Sequence, residues 1–105
     1  MLKPEKKQQL EAAGFKMGSA DEFLGLTPQE SALVSLRLSL AEQVRSRRLR
    51  LHYSQAELAR RVGSSQSRIS KLEAAESDVS LDLLFRALFA TGAKMSDVSK
   101  ILAVA

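Results

Sequence analysis

Residues 53–74, YSQAELARRVGSSQSRISKLEA, read as two short helices joined by a tight turn. Ser54 is a favourable N-cap for the first helix, and Glu57, three residues later, has the spacing of a capping box. Leu58 and Val62 lie one turn apart, which gives this helix an apolar face. The first half of the stretch therefore predicts a short amphipathic helix with one buried side.

A glycine and two serines mark the turn and the start of the second helix. Gly63 favours a helix end, because glycine adopts the left-handed conformation at little steric cost. Ser64 and Ser65 can then cap the next helix, whose buried face is formed by Ile69 and Leu72. Ala59 is small enough to let the two helices cross closely. The whole stretch predicts a helix–turn–helix hairpin held together by these residues.

The second helix carries a polar outer face. Opposite its apolar residues lie hydroxyls, an amide and cations, the groups that bind base edges and phosphates. Gln55 begins the first helix, where its side chain and the backbone N–H groups favour a phosphate. The residues predicted to bind DNA are Gln55, Arg61, Ser65, Gln66, Ser67, Arg68, Ser70 and Lys71.

The pattern SQAELARRVGSSQSRISKLE resembles the helix–turn–helix of the Xre/Cro family, which includes the lambdoid phage repressors. Five residues fall at the spacings of that family: Gln55, Ala59, Gly63, Ile69 and Leu72. The resemblance covers about half of the chain, residues 40–102. It implies an all-α fold, a lambda-repressor-like helix–turn–helix bundle of about five helices with a short N-terminal extension. It also implies a transcriptional repressor that binds operator DNA as a homodimer, with the second hairpin helix in the major groove.

One ion pair and one departure follow from comparison with that family. Arg48 matches a position where the phage repressors carry an arginine, which pairs with a glutamate that corresponds to Glu73. Independently, an anion at the end of the recognition helix, among cations, favours an arginine partner; alternatively, both side chains are solvated. The family usually has a glycine about two residues after the position of Glu73, whereas this chain has Ala75. The geometry of the following turn is therefore left open.

The residues around the hairpin predict further helices and two regions. The sequence TPQE at 27–30 has the capping residues of a helix start, and apolar spacing continues the helix to about residue 51. Similar signals predict helices after Ser80 and at 95–102. Residues 1–26 are expected to be an N-terminal extension with two short helices. Residues 27–105 are expected to be the DNA-binding domain.

Charge and composition favour a polyanion-binding regulator over an enzyme. The chain has 105 residues and a net charge of +4, with its basic residues concentrated around the hairpin. It contains no cysteine and a single histidine, which excludes thiolate metal sites and the common nucleophile–histidine pairs. No apolar run reaches the length of a membrane span. We therefore expect a cytoplasmic protein without cofactor, metal or catalytic residues.

The segment before the hairpin suggests a protein partner. Residues 10–40, LEAAGFKMGSADEFLGLTPQESALVSLRLSL, resemble the N-terminal part of HigA-type antitoxins of bacterial toxin–antitoxin pairs. The resemblance implies an antitoxin that neutralises a RelE/HigB-like ribonuclease toxin and represses its own operon, with Phe15, Met17 and Phe23 contacting the toxin. One alternative is a free-standing phage or host regulator whose N-terminal segment completes its own core. Another is an adaptor that keeps the fold without binding DNA.

Overall fold

The computed structural model describes residues 25–104 of the chain. Within this range there are five α-helices and no strand: α1 Pro28–Arg50, α2 Gln55–Val62, α3 Gln66–Glu73, α4 Leu81–Ala90 and α5 Met95–Val104. The predicted all-α class and the predicted helical bundle are confirmed. The two short helices expected in the N-terminal extension lie outside the described range.

The first helix begins with a complete capping box. The Glu30 N–H donates to Thr27 Oγ1 at 3.1 Å, and the Thr27 N–H donates to Glu30 Oε1 at 2.8 Å. Pro28 occupies the first helical position, where a missing N–H costs nothing. Two donors that a helix start leaves unpaired are thus satisfied by local sequence alone.

Within α1 the chain passes from one compact unit to another, after residue 33. The second unit contains the remainder of α1 and all four later helices. The division expected from sequence, an extension at 1–26 followed by a domain at 27–105, stays a prediction.

A single apolar core lies in the second unit and draws side chains from every helix of the bundle. Each large side chain buried in it contributes about 1.5–3 kcal/mol to folding. Ala59, Ile69 and Leu72, the hairpin residues expected to be buried, belong to it. The core consists of Leu40, Ala41, Val44, Leu58, Ala59, Val62, Ile69, Leu72, Val79, Leu83, Leu84, Ala87, Leu88, Ala93, Val98 and Ile101. The hairpin is therefore seated on a scaffold built by α1, α4 and α5.

Three successive helices end in the same hydrogen-bonded arrangement, a Schellman motif with a left-handed residue just after the helix. That residue is Gly63 after α2, with φ +79°, but it is His52 after α1 and Ala75 after α3, with φ +61° and +58°. At the end of α3, the Ala75 N–H donates to the Leu72 carbonyl and the Glu76 N–H to the Lys71 carbonyl. At this position alanine adopts the left-handed conformation that usually favours glycine.

Candidate nucleic-acid interface

The outer face of α3 is a row of exposed polar side chains, which we call the α3 ridge: Gln66, Ser67, Arg68, Ser70 and Lys71. Beneath the ridge, Ile69 and Leu72 are completely buried. Ser65 caps the helix by accepting from the Arg68 N–H at 3.2 Å. The 3.6-residue period of the helix thus separates a polar side, open to a ligand, from an apolar side that fixes its position.

A buried ion pair ties the end of α3 to α1. Arg48 Nε donates to Glu73 Oε2 at 2.6 Å, and a second guanidinium nitrogen donates to Glu73 Oε1 at 3.0 Å. The third nitrogen donates to the Tyr53 carbonyl at 2.8 Å. The two side chains keep only 11% and 4% of their surface exposed. Since the pair is bidentate and shielded from water, it holds α3 in one orientation relative to α1.

Gln55 joins the same network. Its amide nitrogen donates to Glu73 Oε1 at 3.1 Å, so the first residue of α2 is bonded to the last residue of α3. An amide nitrogen carries two N–H groups, and this bond uses one of them. Sequence reasoning placed Gln55 on a phosphate but did not foresee its bond to Glu73.

On the outer side of α2, the Glu57 carboxylate does not make the contact predicted from the sequence. Ser54 accepts from the Glu57 N–H at 3.0 Å, as predicted, but the Glu57 carboxylate does not close the expected capping box. It lies 2.5 Å from a guanidinium nitrogen of Arg60 and 2.8 Å from Nε of Arg61. Two cations at i+3 and i+4 attract a carboxylate more strongly than one neutral N–H. The hydrogen bond from Arg60 is also the main reason that the pKa of Glu57 falls below its ordinary value.

Arg61 is held on an aromatic ring as well. Its Cζ atom lies 4.3 Å from the centroid of the Tyr53 ring, a cation–π distance. The Arg61 side chain nevertheless keeps 42% of its surface exposed. The Arg61 guanidinium thus contacts both Glu57 and Tyr53, and part of it stays accessible from outside the protein. No local spacing rule predicts the contact with Tyr53.

The family model described as helix-turn-helix matches residues 44–100. The chain belongs to the helix-turn-helix family. The Xre/Cro-like domain predicted from the sequence is thereby confirmed, as is the prediction of a DNA-binding transcriptional regulator. No curated protein and no solved structure matched the chain significantly. The resemblance to HigA-type antitoxins stays a prediction.

The turn that follows α3 of this helix-turn-helix protein brings an acidic group to the α3 ridge. Lys71 Nζ lies 3.8 Å from Asp78 Oδ2. The turn is anchored by Val79, whose side chain is buried and whose carbonyl accepts from the Arg37 guanidinium. The proximity of Asp78 was not predicted from the sequence, because six residues and a non-helical turn separate it from Lys71.

The residues predicted to bind DNA and those predicted to contact a partner lie in different parts of the chain. All eight residues expected to bind DNA lie on α2, α3 or the cap of α3, and only Gln55 among them is partly buried. Phe15, Met17 and Phe23, the expected partner contacts, lie outside the described range. Between residues 25 and 104, no group of side chains is arranged to hold a metal ion. No helix in that part of the chain is both long and apolar enough to cross a membrane.

Proposed function

We propose that this helix-turn-helix regulator is a sequence-specific repressor that places α3 in the major groove of operator DNA. The observation that carries the proposal is the α3 ridge, five polar side chains exposed above two completely buried ones. An α-helix fits the width of the major groove, and only there do all four base pairs present distinct patterns of donors and acceptors.

Base recognition is assigned to Gln66 and Ser67 at the N-terminal end of the α3 ridge and to Lys71 at its C-terminal end. Gln66 offers the amide that bonds adenine in a bidentate manner, and Lys71 offers a cation for guanine. Ser67 supplies a hydroxyl that bonds several bases, and Ser70 lies on the same exposed face. Arg68 has the reach to bind a phosphate or a guanine. These side chains are proposed to select the operator sequence.

Phosphate binding is assigned to residues around the helix starts. Gln55 and the free backbone N–H groups of the α2 N-terminus form a dipole-assisted anion site. Ser65, at the cap of α3, lies beside the next helix start, and Arg61 adds an accessible cation. Such contacts position the protein on DNA without selecting a sequence.

We further propose that the repressor acts as a homodimer. A single small module contacts too few base pairs for tight operator binding. Related helix–turn–helix proteins solve this by reading two half-sites that lie about one helical turn apart. The operator is therefore expected to be a palindrome with that spacing.

Two alanine variants test the assignment. After selection of an operator from a pool of random duplexes by the full chain, Gln66→Ala is expected to lose discrimination at one base pair, by about 1–3 kcal/mol. Arg61→Ala is expected to weaken binding to operator and random DNA alike and to reduce the salt slope by about one. Lys100→Ala removes an exposed cation from α5 and serves as the control. Equal affinity of the unaltered protein for operator and random duplexes would refute sequence-specific repression.

We also propose that the protein is the antitoxin of a type II toxin–antitoxin pair. The resemblance of residues 10–40 to HigA-type antitoxins supports this role. Within that stretch, Val34 and Leu38 on α1 are 40% and 54% exposed, so apolar surface is available to a partner. Co-expression with the product of the neighbouring reading frame tests the role. A small RelE/HigB-like ribonuclease should co-purify and lose its toxicity, whereas a free-standing regulator would leave it unbound.

A further inference from the structure

Lys71 is the only basic residue of the α3 ridge with a carboxylate beside it in the part of the chain that the structure describes. Its ammonium lies 3.8 Å from Asp78, and the two side chains are 48% and 65% exposed. An exposed pair of this kind contributes little to folding, at most about 1 kcal/mol. The position of the pair matters more than its strength, because the Asp78 carboxylate binds the ammonium group that is proposed to contact a base.

The backbone, and not the ion pair, places the Asp78 carboxylate. The Glu76 N–H donates to the Lys71 carbonyl at 3.1 Å, and the Val79 N–H donates to the Glu76 carbonyl at 3.2 Å. Val79 is then fixed in the core and receives a hydrogen bond from Arg37. Asp78 therefore lies inside a turn secured at both ends. Its charge stays close to the α3 ridge even when the Lys71 side chain moves.

We propose that Asp78 is an intramolecular competitor of DNA for the ammonium of Lys71, and so limits the affinity of the regulator for DNA. The inference rests on the proposed role of the α3 ridge. When DNA binds, Lys71 must leave the carboxylate for a base or a phosphate, and Asp78 is left facing the phosphate charges. Salt screens charges over about 10 Å at 0.1 M, so at this separation the competition persists in ordinary buffers.

The chain offers a matched control in a second exposed ion pair. Asp82 Oδ2 lies 3.7 Å from a guanidinium nitrogen of Arg86 on α4, and the side chains are 80% and 54% exposed. Asp78→Asn and Asp82→Asn change the net charge by the same amount and break pairs of similar length. Any effect of net charge alone is therefore equal in the two variants. A difference between them reports a local effect of Asp78, and the Lys71→Met background shows whether Lys71 carries that effect.

The experiment measures the affinity of the full chain for a fluorescent DNA duplex of mixed sequence over a series of salt concentrations. Asp78→Asn is expected to bind up to about fivefold more tightly than Asp82→Asn, the equivalent of at most about 1 kcal/mol. In a Lys71→Met background the advantage of Asp78→Asn is expected to shrink, since no ammonium remains to be released.

Two results overturn the inference and can be told apart from failure of the proposed function. Equal affinities of Asp78→Asn and Asp82→Asn, with salt-dependent DNA binding intact, exclude competition by Asp78 and leave the repressor proposal standing. An undiminished advantage in the Lys71→Met background also excludes it, because Asp78 would then act without Lys71. Absence of salt-dependent binding by the unaltered protein overturns the DNA contacts themselves.

Discussion

Removing Arg48 should show how strongly the buried ion pair holds the recognition helix. In Arg48→Met, the Glu73 carboxylate remains 4% exposed in its present position and keeps only the amide of Gln55 at 3.1 Å. The Tyr53 carbonyl also loses its donor. Leaving one partner of a buried pair uncompensated costs about 3–5 kcal/mol. We expect about 3 kcal/mol, the lower end of that range, since the site keeps slight contact with water.

The double variant Arg48→Met with Glu73→Leu separates the loss of the pair from the burial of a lone charge. Replacing a buried ion pair by apolar side chains is often neutral or stabilising. The double variant should therefore be more stable than Arg48→Met alone, by about 2 kcal/mol. A domain of this size unfolds with roughly 4–12 kcal/mol, so the single variant loses a large part of its stability and the double variant does not.

Urea unfolding followed by far-ultraviolet circular dichroism measures both free energies of unfolding by linear extrapolation. Arg60→Met is the control, because it breaks the exposed pair with Glu57 and should leave the midpoint unchanged. A loss below about 1 kcal/mol in Arg48→Met would refute the reasoning, since this is the size of an exposed pair. A double variant as unstable as the single one would show that packing of the arginine stem, and not its charge, was lost.

Three further predictions concern the helix ends. Ala75→Gly should raise stability by about 0.5–1 kcal/mol in thermal unfolding, because relief of about 1–2 kcal/mol of left-handed strain exceeds the added entropy of glycine; an unchanged or lower Tm would contradict this. Ser80→Ala should lower the free energy of unfolding by about 1 kcal/mol, since the hydroxyl accepts from the Leu83 N–H at 3.1 Å. An unchanged free energy of unfolding in urea would contradict this. The Lys94 backbone N–H is the main cause that lowers the pKa of Asp97, so this carboxylate stabilises the fold above about pH 4 and ceases to do so as pH falls through its lowered pKa. Asp97→Asn should therefore show a smaller fall in Tm on acidification than the unaltered protein, and parallel pH profiles would exclude the effect.

The local signals of the sequence were sufficient for most of the fold. Thr27 with Glu30 and the caps Ser54, Ser65 and Ser80 act over three residues, so their roles can be read before any tertiary contact is known. The apolar period placed Ile69 and Leu72 in the core by the same logic. It also implied an outward α3 ridge, since the opposite face of a helix must then be exposed.

The candidate site was less complete when read from the sequence. Glu57 has the right spacing for a capping box, yet its carboxylate binds Arg60 and Arg61. A spacing rule names a partner within reach but does not rank competing partners, and here two cations compete with one neutral donor. The DNA contacts themselves remain proposals, because they depend on a duplex as well as on the protein.

By itself the sequence determined where the helices of the bundle begin and which side of the two hairpin helices is apolar, because those choices depend on residues three or four positions apart. Only the tertiary structure decided that Gln55 binds Glu73, that Arg61 rests on Tyr53, and that Asp78 lies beside Lys71. Such contacts depend on how separate helices and turns are placed in space. That placement follows from packing of the shared core, so no local spacing encodes it.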